Sequence, residues 1–127
     1  MAKKHDVIIV GMGLASLAAA ARLNELGVKD IGIYTTAYGG TPYIAAINFV
    51  LPDNPYGDTI GQYNDDMIHA GYGINNKTLV QDMAASTMEG YKLLRRWGVE
   101  FAKNEDGTTK LRHLSGHPYP RSLCCTT

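Results

Sequence analysis

The stretch DVIIVGMGLASLAAAARL, residues 6–23, decides how the rest of this chain is read. It holds four apolar residues in a row, Val7 to Val10, then two glycines one residue apart, then a run rich in alanine. Val7–Val10 is β-branched and wholly apolar, as expected of a central parallel strand covered on both faces. From Leu14 to Leu26 nearly every residue is a good helix former, and Gly27 supplies a stop. Ile31 to Tyr34, IGIY, is long enough for a second strand. Strand, helix and strand in that order make a βαβ unit.

Between strand and helix stands G-x-G-x-x-S, with Ser16 in the place of the usual third glycine. Gly11 turns the chain sharply out of the strand, and Gly13 removes the side chain that would block a pyrophosphate. Ser16 must be small where helix packs on strand. The free amides near Leu14 and Ala15 then meet phosphate at the favourable end of the helix dipole. The acidic residue that commonly holds a ribose at the end of the second strand is missing, since Tyr34 and Thr35 stand there. Asp30 comes too early and Glu25 lies on the helix; a hydroxyl at Thr35 is the substitute contact for adenosine. The residues by themselves specify a dinucleotide and leave its kind open.

The run has one rival reading. Lys3 and Lys4 before an apolar segment and AAAA have the outline of a secretion signal. Gly11 and Gly13 interrupt the apolar segment and Asp6 opposes the charge pattern, so secretion is set aside. Twelve basic residues balance twelve acidic ones, which gives no field to attract nucleic acid or an anionic membrane. No apolar run reaches the length of a membrane span. Cys124 and Cys125 are neighbours, a poor geometry for a disulfide, and read as thiols at the start of a strand in a reducing cytoplasm. Neither they nor the four histidines form a metal-ligand set: His69 and His113 read as ordinary helix and strand residues, and His5 as solvated.

Ala37 to Gly57 reads as loop, with a short buried turn around Ile44 to Ile47. Asp58 to Ala70 reads as a helix with Ile60, Tyr63, Met67 and Ala70 inward. Asn76 caps a longer helix to Arg96, with Leu79 or Val80, Met83, Thr87, Tyr91 and Leu94 as its buried stripe. Gly98 ends it, VEF begins a strand, and Asn104 to Thr108 is a hairpin turn.

Four segments in order carry a resemblance. They are residues 6–23; YGGTPYIAAIN, 38–48; the long stretch from Asp58 to Phe101; and SGHPYPR, 115–121. From Asp6 to about Arg121 the sequence resembles the N-terminal part of flavoproteins of the succinate dehydrogenase, fumarate reductase and L-aspartate oxidase superfamily. The resemblance implies an α/β fold: a partial Rossmann-like FAD-binding domain, a βαβ unit plus helices and a hairpin. Residues 1–127 would be its N-terminal portion. It implies FAD, held by Gly11, Gly13, Leu14, Ala15, Ser16, Tyr34, Thr35, Gly39, Gly40, Thr41, Ala45, Ala46 and Ile47. It implies hydride exchange between flavin and a small substrate, and an iron–sulfur subunit as electron partner. Its catalytic residues would lie beyond Thr127, in a remainder supplied as a further chain or segment. His117 and Arg121 fall in a segment near the flavin in that family.

The departures matter too. Gly40 stands where succinate dehydrogenases carry the histidine that bonds flavin, so a covalent link at this position is impossible. Ala45 and Ala46 replace Gly-Gly. Tyr63 replaces a histidine common in aspartate oxidases, and Leu114 an acidic residue, which favours a dicarboxylate or other activated alkene or alkane over aspartate. Two alternatives stand beside this reading: a non-catalytic binding or assembly subunit that kept the fold, and an NAD-dependent dehydrogenase.

Overall fold

Val7–Val10 forms β1 and Ile31–Tyr34 forms β2, with helix α1, Leu14–Glu25, between them. The two strands run parallel in the register Val7 with Ile31 through Val10 with Tyr34, which is the βαβ unit read from the sequence. The computed structural model describes residues 4–40, 43–44 and 46–126. Thr41 and Ala45, both named as cofactor contacts, lie outside the described residues. The chain divides into two compact units, Met1–Ile44 and Ala45–Thr127.

In the first unit β1 is not covered on both faces as expected. Val7 and Ile9 are half-buried, but Ile8 and Val10 are exposed, Val10 by 84%. The physical reason is that this unit has one helix among its described residues, α1, and one helix covers one face. His5 also differs from its solvated reading. Its ring lies where a side chain on Gly32 would stand, and its Nδ1 is 2.7 Å from Asp30 Oδ1.

The second unit holds β3, Ile47–Asn48; α2, Ile60–Ala70; α3, Lys77–Arg96; and β4, Ser122–Leu123. Thr59 caps α2, its side chain accepting from Gln62 N–H at 3.1 Å, and Asn76 caps α3 through Leu79 N–H at 3.2 Å. The turn between them is tied down by Asn75 Nδ2, which donates to the Met67 carbonyl at 2.7 Å. β3 and β4 pair antiparallel, Ile47 with Leu123 and Asn48 with Ser122. The segment read as loop therefore contains a strand, and after it Phe49, Val50 and Leu51 enter the core. The expected strand at VEF and the hairpin are reduced to single bridges, Phe101 with Cys125, Lys103 with Thr109 and Arg112 with Ser122.

One cluster of core residues is Phe49, Leu51, Phe101 and Leu123, with Tyr91 and Leu94 packed against it. A second is Val50, Tyr63 and Ala84, with Met67 beside it. The α3 stripe is as expected at Val80, Thr87, Tyr91 and Leu94, and differs at one position, where Ala84 rather than Met83 turns inward. Val80, Ala84 and Thr87 are buried while Leu79 and Met83 face water, and Ala84 packs with Val50 and with Tyr63 of α2. On α2, Tyr63 is buried, and Ile60 and Ala70 at the two ends are exposed.

Candidate functional site

The turn after β1 is shaped by backbone contacts. Gly11 adopts φ +104°, a conformation that side chains disfavour, and its N–H donates to the Tyr34 carbonyl at 2.8 Å. The end of β2 thus holds the turn in place. Ser16 is the small residue facing it: its Oγ would lie 3.7 Å from a Cβ placed on Gly11.

Gly13 is the N-cap of α1, and no side chain caps this helix. The first-turn amides of Leu14, Ala15 and Ser16 therefore have no intrahelical acceptor, and the positive end of the helix dipole is open. A Cβ added to Gly13 would meet nothing within 4 Å. That is the space a pyrophosphate requires, so the residues fit a dinucleotide.

Gly39 completes the cradle. Its N–H donates to the Met12 carbonyl at 2.9 Å, and a Cβ on it would stand 2.5 Å from the Gly13 Cα. The structure thus brings Gly11, Gly13, Ser16, Tyr34 and Gly39 together, with Gly40 exposed just after them. Thr35 is exposed, and its hydroxyl donates to the Ala37 carbonyl at 2.5 Å, so its proton is committed to the local turn. The two acidic residues discounted above are engaged elsewhere, Asp30 with His5 and Glu25 with Arg22.

In the second unit Ala46 and Ile47 are half-buried where the chain enters β3. Behind that strand sits an ionic cluster that the sequence did not announce. Arg121 is wholly buried, and its Nη2 donates to Asp58 Oδ1 at 2.7 Å and to Asp66 Oδ2 at 2.6 Å. Its Cζ stands 4.7 Å from the centre of the Tyr63 ring and 5.6 Å from that of Tyr119. Arg121 Nε and Nη1 and Asp58 Oδ2 are buried with no hydrogen-bond partner among the described residues.

Burial pushes the Asp58 carboxyl above its usual range, against the opposing pull of Arg121. Burial raises the Tyr63 hydroxyl as well, countered by a hydrogen bond from the Asn48 side chain. The sequence signals for this cluster were the periodic placing of Tyr63 inward and Arg121 in the SGHPYPR segment; nothing marked Asp58 and Asp66 as the acids that Arg121 would meet. His117 is half-buried, with Nδ1 lacking a partner among the described residues, and His69 and His113 are exposed. Among the described residues no group of His, Cys, Asp or Glu could hold a metal ion, and no helix is long and apolar enough to cross a membrane.

A family profile described as an FAD binding domain matches residues 6–127. The acrylate reductase flavoprotein subunit of Shewanella woodyi is 29% identical over 98% of the chain, and an L-aspartate oxidase of Pyrococcus furiosus is 31% identical over 91%. The chain spans about a quarter of each relative's length, 25% and 23%. Among solved structures, Mycobacterium smegmatis Sdh1 in complex with UQ1 superposes with a TM-score of 0.80 at 23% identity, covering 94% of this chain and 20% of that one. An E. coli quinol fumarate reductase FrdA superposes at 0.79 with 20% identity, covering 94% and 21%. At such identities these structures speak for the fold.

Proposed function

The chain belongs to the FAD-binding domain family that matches its residues 6–127, and from that premise we propose that it is the FAD-binding portion of a reductase or dehydrogenase acting on a small activated substrate. FAD is the cofactor, and the family is one of FAD-dependent oxidoreductases of the fumarate reductase and succinate dehydrogenase kind. When bound, the flavin supplies hydride exchange with a substrate carbon. This chain's own residues bind and orient it. The amides of Leu14, Ala15 and Ser16 would meet the pyrophosphate above Gly13, Tyr34 and Thr35 would serve the adenosine, and Gly39, Gly40, Ala46 and Ile47 would serve the flavin.

The observation that carries this reading is the uncapped start of α1 facing open space at Gly13. Gly13→Val, made in the flavoprotein that contains this chain, tests it: the added methyl groups fill the pyrophosphate space, so FAD content should fall to near zero. FAD content equal to the parent's would remove the assignment. The flavin is held without a covalent bond through residue 40, because Gly40 offers no side-chain nitrogen. Acid precipitation should therefore release the yellow colour into the supernatant.

A small dicarboxylate or another activated alkene is the substrate class we favour over aspartate. Tyr63, where aspartate oxidases commonly carry histidine, is buried under Arg121 and has no face left for a substrate. Leu114 offers no charge to an amine. The remainder of the flavoprotein, as a further chain or segment, would supply the substrate-binding and proton-donating groups. An electron-carrying iron–sulfur subunit would be its partner.

A further inference from the structure

Asp30, Tyr34 and Thr35 are the polar side chains on and beside β2 that could serve the adenosine half of a dinucleotide, and two of them are engaged elsewhere. Asp30 Oδ1 is 2.7 Å from His5 Nδ1. The Thr35 hydroxyl donates to the Ala37 carbonyl and accepts from the Ala37 N–H at 3.3 Å. Tyr34 is the third. It is 49% exposed and stands at the strand end, where a carboxylate commonly holds the ribose.

The neighbours of Tyr34 hold its ring in place. Alternate residues of a strand share a face, so Gly32 and Tyr34 look the same way. Gly32 has no side chain, and the His5 ring fills the space: a Cβ on Gly32 would stand 2.6 Å from His5 Cδ2. Seated there, the His5 side chain is only 7% exposed, and its Asp30 bond fixes the turn of the imidazole. The His5 and Tyr34 rings meet edge to face, with centroids 6.0 Å apart and planes at 68°. The Tyr34 carbonyl meanwhile accepts from Gly11 N–H, which ties its backbone to the phosphate turn. Both ends of Tyr34 are thus held, and every residue involved belongs to the first unit.

We infer that His5 is a positioning residue for the adenosine half of the cofactor, setting the Tyr34 ring that packs against the adenosine in place of the missing carboxylate. This rests on the reading that the turn at Gly11 and Gly13 holds FAD. A half-exposed tyrosine loses rotamer freedom when a ligand packs on it, and a neighbour that has already fixed the ring removes part of that cost. Asp30 acts one step further out, by holding the imidazole on its glycine seat.

The test uses the apo form of the intact flavoprotein. FAD binding is followed by flavin fluorescence, and ADP competes as a probe that carries the adenosine half without the flavin. Tyr34→Ala should raise the ADP Kd about tenfold, the scale of one lost contact between a ring and a base. Tyr34→Phe keeps the ring and should stay within about twofold of the parent. His5→Ala should raise the ADP Kd roughly threefold with little change in melting temperature. His5→Phe, which restores a ring over Gly32, should recover most of that loss. In the Tyr34→Ala background His5→Ala should add nothing, because it acts through the tyrosine. A purely cohesive His5 would lower the melting temperature and exert its full effect in both backgrounds. An ADP Kd unchanged in either alanine variant, additive losses in the double variant, or a Tyr34→Phe loss equal to that of Tyr34→Ala would overturn the inference. A parent that takes up neither FAD nor ADP would instead overturn the reading beneath it.

Discussion

Gly39 is the residue whose replacement is most informative. Its missing Cβ leaves room for the Gly13 Cα, and Met12 O stands 3.0 Å from the same point. Both neighbours are backbone and cannot swing aside. Gly39→Ala should therefore displace the phosphate turn, costing about 1–3 kcal/mol as overpacking does, and should weaken FAD binding measured by fluorescence quenching. Gly13→Ala separates the two effects, because its Cβ meets only open space: the apo fold should tolerate it while FAD affinity falls. At Asp58 the expectation concerns pH. Burial raises its carboxyl above the ordinary 3.8. Between 3.8 and that raised value the folded chain holds a proton that the unfolded chain has released. Stability contributed by this group is fully present below 3.8 and is lost as pH rises through the raised value. Asp58→Asn lacks this dependence, so denaturant melts across the window should show the variant gaining on the parent as pH rises. Gly11 and Gly13 were legible because their roles are local. Asp58 was not, because its reason for burial is an arginine 63 residues away.

Among the elements, α3 gives the sharpest contrast between neighbouring positions. Ala84 is fully buried against Val50 and Tyr63, whereas Met83 is exposed by 40%. Ala84→Leu should destabilise by about 1–3 kcal/mol through overpacking. Met83→Ala should stay within about 0.5 kcal/mol, as surface changes do. Urea melts of the two variants check both values. Hydrophobic periodicity located this helix and its Asn76 cap correctly, yet chose methionine over alanine as the inward residue. The inward place went to Ala84, which packs against Val50 and Tyr63. β1, α1 and β2 were legible for the opposite reason: each is specified by its own four to twelve residues. β3 and β4 are two residues each and meet across 74 residues of chain, so no local pattern reveals them. The apolar run from Phe49 to Leu51, just after β3, was a nearby sign, and its neighbouring Pro and Asn residues masked it.

For the molecule as a whole, exposed apolar surface is the dominant fact. In the first unit Ile8, Val10, Leu17 and Leu26 stand in water, and α1 has no buried residue. Apolar area left uncovered forgoes about 25 cal/mol per Å², so a few hundred Å² rival a domain's whole stability. Expressed as these 127 residues alone, the chain should self-associate on size exclusion with light scattering and should fail to take up FAD stoichiometrically. A sharp monomer that unfolds cooperatively and binds one FAD would contradict this. β4 carries a different consequence. Arg121, Ser122 and Leu123 are wholly buried, and in the sequence they come after both helices that need them. Contacts spanning so much chain are paid for in loop entropy before they give anything back. During synthesis α2 and α3 must therefore wait as open, protease-accessible segments until β4 has emerged to meet β3.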